Sequence, residues 1–271
     1  MSPLIARQLS PLDKYAQNGA YSYLRHLAKT LLLSGWIGST WVFMTTLPET
    51  SAYFDESRMQ SNFPIVAGFW NSIDLWMVCE EHLQRALRDK PEGLEAKKYV
   101  RDNSLHFAKI LSAFTLLPVF ATIERDVWGK RLWDVKGAGN PAFANAYASC
   151  CYSCCVMLDL RGKEKGWRKP LPVVFDDGAE GKHYWERGYR KYIKENPSSV
   201  LDETPHFAKD EIAKPLLAAD LYAWLLSRDY NEGLTGEERE ALALLHQRQP
   251  LSMVLDQKAL DKIVQERQRH V

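Results

Sequence analysis

The sequence predicts an α/β protein in which a mixed central sheet is flanked by helices. Segments of strand and helix character are mixed along the whole chain, which is typical of this class. The runs Phe63–Trp70 and Leu116–Ile123 are apolar and rich in β-branched or aromatic residues, as central strands are. Of the 271 residues, 46% are hydrophobic, which excludes a mainly disordered chain.

Each further element follows from its local pattern. The strands end at polar or Gly/Pro-containing stretches, and the first helix stops before Pro91. Thr235 and Glu238 form a capping-box pattern at the start of a late helix. Lys90–Asn103 is predicted as a loop or short helix, and Leu105–Phe114 is ambiguous. The remaining predicted strands are Ser51–Glu56, Leu171–Phe175 and Thr204–Ala208, and the helices are Asp74–Asp89, Ala142–Leu160, Lys182–Glu195, Pro215–Ser227, Thr235 to near Pro250, and Asp256–Gln268.

Three regions are expected: an extension over residues 1–50, an α/β domain over 51–230 and a helical tail over 231–271. The extension has several interpretations, because no charged residue lies between Lys29 and Glu49. The run is near the length of a membrane helix, and the basic residues before it resemble a signal-peptide start. We favour residues 1–43 as non-native or loosely packed, with Met44 as the start of the folded unit and no stable membrane association.

Charge and cysteine content limit the classes of function. The chain has 35 Lys and Arg against 34 Asp and Glu, so nucleic-acid binding would need a local basic patch or a bound metal. Five cysteines, four of them clustered in one apolar run, indicate a reducing, cytoplasmic setting. The Cys151–Cys154 pair could hold zinc, but no second ligand pair is near, which favours buried packing.

Two acidic motifs follow predicted strands. In YFDES, Asp55 shares a face with Tyr53 and Ser57, whereas Glu56 points to the other face unless a bulge intervenes. We therefore favour Asp55 as a site residue and keep Glu56 as secondary. In VVFDDG, a strand runs into Asp176 and Asp177, and ligand sites in open α/β sheets gather at such strand ends. The alternatives are a solvated strand end and a solvated Asp-Gly turn.

The third acidic position is Asp220, the only charged residue of the helical run PLLAADLYAWLL. A helix that is apolar nearly all round is buried, and a buried carboxylate requires a metal, a cation or a proton. Lys209 and Lys214 could pair with it. Asp55, Asp176 and Asp220 together would form a carboxylate cluster suited to Mg²⁺ or Mn²⁺, whose chemistry supports phosphodiester hydrolysis.

The ordered motifs resemble a bacterial family, the domain-of-unknown-function family numbered 3800, which belongs to the ribonuclease H-like superfamily. The resemblance spans about residues 51–230 and includes the motifs YFDES, Gly68-Phe69, Leu105-His106-Phe107, VVFDD and PLLAADLYAWLLSR. It implies a ribonuclease H-like fold and a metal-dependent nuclease. By this resemblance Asp55, Asp176 and Asp220 bind the metal, with Glu56 and Asp177 beside them.

Two residues depart from the family pattern. Arg58 replaces a glycine, and Leu217 replaces a glutamine that would position substrate. His106 is either a proton shuttle or an ordinary packing residue. Arg168, Lys209 and Lys214 are candidate contacts to nucleic acid. A basic loop over Arg161–Pro170 and a basic face of Lys182–Glu195 are candidate patches, although a solvated surface explains both.

We therefore expect a Mg²⁺- or Mn²⁺-dependent nuclease with Asp55, Glu56, Asp176 and Asp220 as its catalytic carboxylates. The alternative is a catalytically silent ribonuclease H-like module that binds nucleic acid or a protein. An enzyme acting on another phosphate-bearing substrate is a third hypothesis. Convergence of three acids would favour the enzyme, whereas scattered acids or a paired Asp220 would favour the module.

Overall fold

A mixed six-stranded sheet forms the centre of the molecule. The computed structural model describes residues 49–126, 141–143, 145–167, 170–178 and 181–258. Runs of apolar, β-branched and aromatic residues, buried on both faces in the central strands, favour extended backbone in these segments. The strands are β1 (Thr50–Ser57), β2 (Ile65–Ser72), β3 (Leu117–Ile123), β4 (Val173–Asp176), β5 (His206–Ala208) and β6 (Leu251–Leu255).

The strand order across the sheet is β5-β4-β1-β2-β3-β6. The strands β1, β2 and β3 form an antiparallel meander. The strands β4 and β5 continue from β1 in parallel, and β6 adds in parallel to β3 at the other edge. Consequently β1 and β4 are parallel neighbours whose carboxyl ends lie at the same edge of the sheet.

Helices cover both faces of this sheet. Their apolar residues recur at helical spacing, and the caps are local, as in the helix Gly236–Leu245, where Thr235 and Glu238 form the predicted capping box. The helices are α1 (Ile73–Ala86), α2 (Ala96–Asp102), α3 (Ser104–Ser112), α4 (Ala146–Lys165), α5 (Lys182–Glu195), α6 (Pro215–Asn231) and α7 (Gly236–Leu245), with short 3₁₀ turns at Leu87–Asp89 and Pro141–Phe143.

The sheet separates two hydrophobic cores. One face packs against α1, α2, α3, α6 and α7 through residues such as Tyr53, Phe69 and Leu221. The opposite face packs against α4 and α5 through residues such as Phe54 and Trp185. This three-layer arrangement confirms the predicted fold class, an α/β protein with a mixed central sheet flanked by helices.

The clustered cysteines belong to the second core. Cys150, Cys151, Cys154 and Cys155 are free thiols that are fully or almost fully buried on α4. Burial raises the pKa of all four thiols, so they are held in the neutral form. Packing is therefore the role that the structure supports for them, and among the described residues these thiols form no group with the spacing of a metal site.

Two predicted segments differ from the structure, and a third that was left ambiguous is decided by it. The segment Arg161–Pro170 was expected to be a loop, but α4 continues to Lys165 and ends at Gly166, whose left-handed backbone caps the helix. Residues 231–271 were expected to be helical, but Leu251–Leu255 forms β6 beside β3. The ambiguous Leu105–Phe114 segment is largely helical, within α3. The basic C-terminal end of α4 and the short edge strand β6 are both stabilised by contacts with other parts of the fold, which the local sequence pattern does not show.

Several predictions lie outside the described residues. They include everything proposed for residues 1–43, among them the membrane and signal-peptide interpretations, and most of the helix predicted over Asp256–Gln268. Among the helices that the structure describes, none combines the length and the apolar character that crossing a bilayer requires.

A candidate carboxylate site at the ends of two parallel strands

The strand register brings two of the predicted acids side by side. Phe54 of β1 pairs with Phe175 of β4, so Asp55 and Asp176, the next residues along these parallel strands, are neighbours. Both side chains project on the face that packs against α6, because Tyr53 and Val174, two residues earlier, belong to that core. The helix α6 packs across β1 and carries Asp220 toward the same place.

Glu56 completes a group of three carboxylates. One carboxylate oxygen from each of Asp55, Glu56 and Asp176 lies within 4.8 Å of the other two, and this is the group in the described chain with the spacing of a metal site. The expectation that Asp55 and Glu56 could converge only through a bulge is wrong, since the β1–β2 register is continuous. Glu56 does leave the strand on the opposite face, but near the strand end its side chain reaches around to the same site.

A lysine that the sequence analysis did not select lies among these acids. The Lys97 ammonium donates hydrogen bonds to Asp55 Oδ2 at 2.8 Å and to Asp176 Oδ2 at 3.2 Å. It also lies 3.9 Å from Asp220 Oδ1. The three predicted metal ligands, Asp55, Asp176 and Asp220, therefore converge on one cationic group in this structure.

Asp220 has a second cation of its own. Arg101 lies one helical turn after Lys97 on α2, and its guanidinium donates two hydrogen bonds to the Asp220 carboxylate. Nε donates to Oδ2 at 2.9 Å and Nη2 to Oδ1 at 2.5 Å. The Asp220 side chain is 1% exposed and that of Arg101 is 34% exposed. The predicted need of Asp220 for a partner is confirmed, but the partner is Arg101 rather than Lys209 or Lys214. Its role as a metal ligand stays a prediction.

Burial and mutual repulsion dominate the electrostatics of the site. Burial raises the pKa of Asp55 well above its ordinary value, with Lys97 opposing the shift and the other carboxylates adding to it. Burial and the charge of Asp176 raise the pKa of Glu56 to about 7. For Lys97, burial lowers the pKa, but Asp55, Asp220 and Asp176 outweigh it and the net shift is upward. The lysine is therefore a permanent cation.

The donor set fits a divalent metal ion. Oxygen ligands are those that Mg²⁺ and Mn²⁺ prefer, and the buried Glu56 Oε2 has no hydrogen-bond partner. The four carboxylates Asp55, Glu56, Asp176 and Asp220 face two cationic side chains, so two negative charges are uncompensated when all are ionised. An ion of charge +2 would neutralise that excess, and the type of metal is not determined by these ligands.

The other predicted site residues lie around this centre or away from it. Asp177 is exposed and paired with Lys182. Lys209 is exposed after β5, and Lys214 precedes α6 and donates to the carbonyl of Asp210. His106 is exposed on α3. Arg168 lies outside the described residues, so its proposed nucleic-acid contact has no structural description.

The two departures from the family pattern have distinct local settings. Arg58 has a φ of 50°, in the left-handed region that glycine adopts most easily, and it forms an ion pair with Glu232, the residue directly after α6. Leu217 is fully buried in the core on the α6 side of the sheet. It packs there against apolar neighbours.

Sequence reasoning missed Lys97, Arg101 and Asp210. Asp210 follows β5, and burial raises the pKa of its carboxyl, with smaller effects from Glu211, Lys97 and Asp176. One signal was present: Lys97 and Arg101 are four residues apart, so a helix over that segment places both on one face. The segment is too polar and short to be recognised as a helix that covers a site.

The comparisons with known proteins give limited information. No family model matches the chain, and no curated protein matches it significantly. Among solved structures, the chain is similar to Bst-RNase HIII in its crystal structure with Mn²⁺, with 15% identity and a TM-score of 0.37. That alignment covers 83% of this chain and 68% of the other. A likeness of this size does not assign a function.

Proposed function

We propose that this protein is a metal-dependent phosphodiesterase that acts on nucleic acid, with a ribonuclease H-like arrangement of its carboxylates. The observation that carries the proposal is the cluster of Asp55, Glu56 and Asp176, whose ligand oxygens lie within 4.8 Å of one another at the ends of β1 and β4. Membership of the domain-of-unknown-function family numbered 3800 and a cytoplasmic location are parts of the same proposal.

In this proposal Asp55, Glu56 and Asp176 hold Mg²⁺ or Mn²⁺. A divalent ion bound there supplies a Lewis acid that polarises a phosphate oxygen and lowers the pKa of water. The rigid strand ends fix the three carboxylates before substrate arrives, which limits the reorganisation needed during the reaction. Asp220, predicted as a further ligand, holds Arg101 in place beside them.

The nucleic-acid part of the proposal depends on basic residues near the site. Lys209 and Lys214 flank the segment that leads from β5 into α6, and Arg168 is a further predicted contact. Lysine side chains at positions 209 and 214 would bind the phosphate backbone without reading sequence. The overall charge of +1 requires the contact to be this local.

A second function is favoured by a specific observation. Asp220 is paired with Arg101, and Lys97 lies between Asp55 and Asp176, so the acids are neutralised in part by the protein's own cations. A catalytically silent module that binds nucleic acid or a protein would have no further need of a metal.

Calorimetric titration of Mn²⁺ and Mg²⁺ into the full chain separates the two. We expect saturable binding by the parent protein, loss of binding in Asp55→Asn, and unchanged binding in Asp102→Asn. Asp102 is a matched control because it is exposed on α2 and pairs with Lys98. An Asp220→Asn variant tests the predicted fourth ligand, since loss of binding there would place Asp220 in the metal site.

Cleavage assays on single- and double-stranded RNA and DNA complete the test. We expect metal-dependent cleavage by the parent and none by Asp55→Asn. Metal binding without cleavage of any nucleic acid would favour the module or an enzyme acting on another phosphate-bearing substrate. Absence of binding by the folded parent, with and without added nucleic acid, would refute the metal site.

A further inference from the structure

The ammonium group of Lys97 lies where a cation bound by this site would be expected. It is 2.8 Å from Asp55 Oδ2, 3.2 Å from Asp176 Oδ2 and 3.9 Å from Asp220 Oδ1. We propose that Lys97 is a resident counter-ion that competes with the divalent metal for Asp55 and Asp176, and so sets the metal concentration at which the site loads. This inference rests on the metal site of the proposed function.

Competition follows from the atoms that each cation needs. Asp55 Oδ1 accepts a hydrogen bond from the backbone N–H of Glu56, and Asp55 Oδ2 accepts one from Lys97. Asp176 Oδ2 also accepts from Lys97. A metal ion held by Asp55 and Asp176 through these inner oxygens has to displace the ammonium, because two cations at such distances repel strongly in a partly buried site.

Lys97 is able to leave, whereas Arg101 is not. The Lys97 side chain is 26% exposed and carries its charge on a flexible stem, so it can move toward solvent. Arg101 is fixed on Asp220 by two parallel hydrogen bonds. Exchange of Lys97 for a metal therefore leaves the Asp220–Arg101 pair and the position of α2 intact.

Exchange of Lys97 for a metal gives the site two states, in which different cations neutralise the carboxylates. Without metal, Lys97 compensates two buried or half-buried carboxylates that would otherwise repel each other. With metal, those same carboxylates are satisfied and the ammonium is free beside the site. The apparent metal affinity is lowered by the interactions of Lys97 that must be broken first.

Lys97→Met tests this directly, with Lys98→Met as the matched control on the adjacent, exposed position that pairs with Asp102. In Mn²⁺ calorimetry at fixed ionic strength we expect the dissociation constant of Lys97→Met to fall by on the order of ten- to a hundredfold, the equivalent of losing charge-assisted hydrogen bonds. Lys98→Met should match the parent. Circular dichroism confirms that each variant is folded.

The outcomes separate this inference from the proposed function. Equal or weaker Mn²⁺ binding by folded Lys97→Met, with clear binding by the parent, overturns the competition and leaves the metal site standing. Binding by Lys97→Met but not by the parent supports the competition in its strongest form. Absence of binding by both proteins overturns the metal site and the inference together.

A measurement on the parent protein covers the case in which Lys97→Met does not fold. Trace acetylation of lysines, read by mass spectrometry with and without saturating Mn²⁺, reports whether each amine is engaged. We expect the reactivity of Lys97 to rise several-fold with Mn²⁺ while that of Lys98 is constant. Unchanged or reduced reactivity of Lys97 in the metal-saturated protein would overturn the proposal.

Discussion

Replacing Arg101 by methionine should destabilise the protein because it removes the main partner of a buried carboxylate. Asp220 is 1% exposed, and both of its oxygens accept hydrogen bonds from Arg101. Methionine preserves most of the length of the side chain but has no charge or donor. In the variant, Asp220 has Lys97 at 3.9 Å as its remaining cation among the described contacts.

The size of the effect follows from burial. Removing one partner of a fully buried ion pair costs about 3–5 kcal/mol. The Arg101 side chain is 34% exposed, so water already screens part of the interaction, and Lys97 compensates part of the rest. We therefore expect a loss of about 2–3 kcal/mol, which lowers the melting temperature by about 5–10 °C in a protein of this size.

A double-mutant cycle with Asp220→Asn measures the pair. Asp220→Asn alone should be milder, since Arg101 can turn to solvent, and the double variant should recover about 2 kcal/mol relative to additivity. Arg85→Met is the control, because the Arg85–Glu81 pair on α1 is exposed and should change stability by less than about 1 kcal/mol.

Denaturant unfolding followed by circular dichroism, without metal and with Mn²⁺, gives the free energy of unfolding of the parent, of both single variants and of the double variant. A coupling energy near zero, or an Arg101→Met variant as stable as the parent, would refute the assignment of Arg101 as the partner of Asp220. If Mn²⁺ raises the stability of Arg101→Met by more than it raises that of the parent, Asp220 binds metal once Arg101 is gone.

Two other predictions concern single residues. Burial raises the pKa of Glu80 on α1 to about 7 from its ordinary 4.5, so the folded protein is penalised progressively as pH rises from about 4.5 to about 7. Glu80→Gln should thus gain stability at pH 8, by at most about 3 kcal/mol, and much less at pH 5; equal gains in denaturant melts at both values would contradict this. Arg58→Gly relieves a left-handed backbone but loses the ion pair to Glu232, so we expect a net change in unfolding free energy within about 1 kcal/mol. A larger loss of stability would show that the ion pair, rather than the backbone, dominates at this turn.

Much of the fold could be predicted from local pattern. The helix Lys182–Glu195 has the predicted bounds. The helices α6 and α7 begin where Pro215 and the Thr235 capping box predict. Apolar runs predicted β1 to β4 within a few residues, since apolar side chains and turn residues act locally. The strand β6 was not recognised, because it is an edge strand stabilised by pairing with β3. The helix α2 was left undecided between a loop and a short helix, because packing against α6 stabilises it more than its own polar residues do.

The sequence by itself determined which carboxylates were candidates for a functional site. Asp55 and Asp176 were selected because they end apolar strands, and Asp220 because it interrupts an apolar helix, where burial predicted a need for a metal, a cation or a proton. Only the tertiary structure decided which charges compensate them. The parallel register of β1 and β4 brings Asp55 beside Asp176, and α2 contributes Lys97 and Arg101 from a segment about 120 residues before Asp220 along the chain. Side chains so far apart in sequence meet only through packing of the whole domain, which local patterns do not encode.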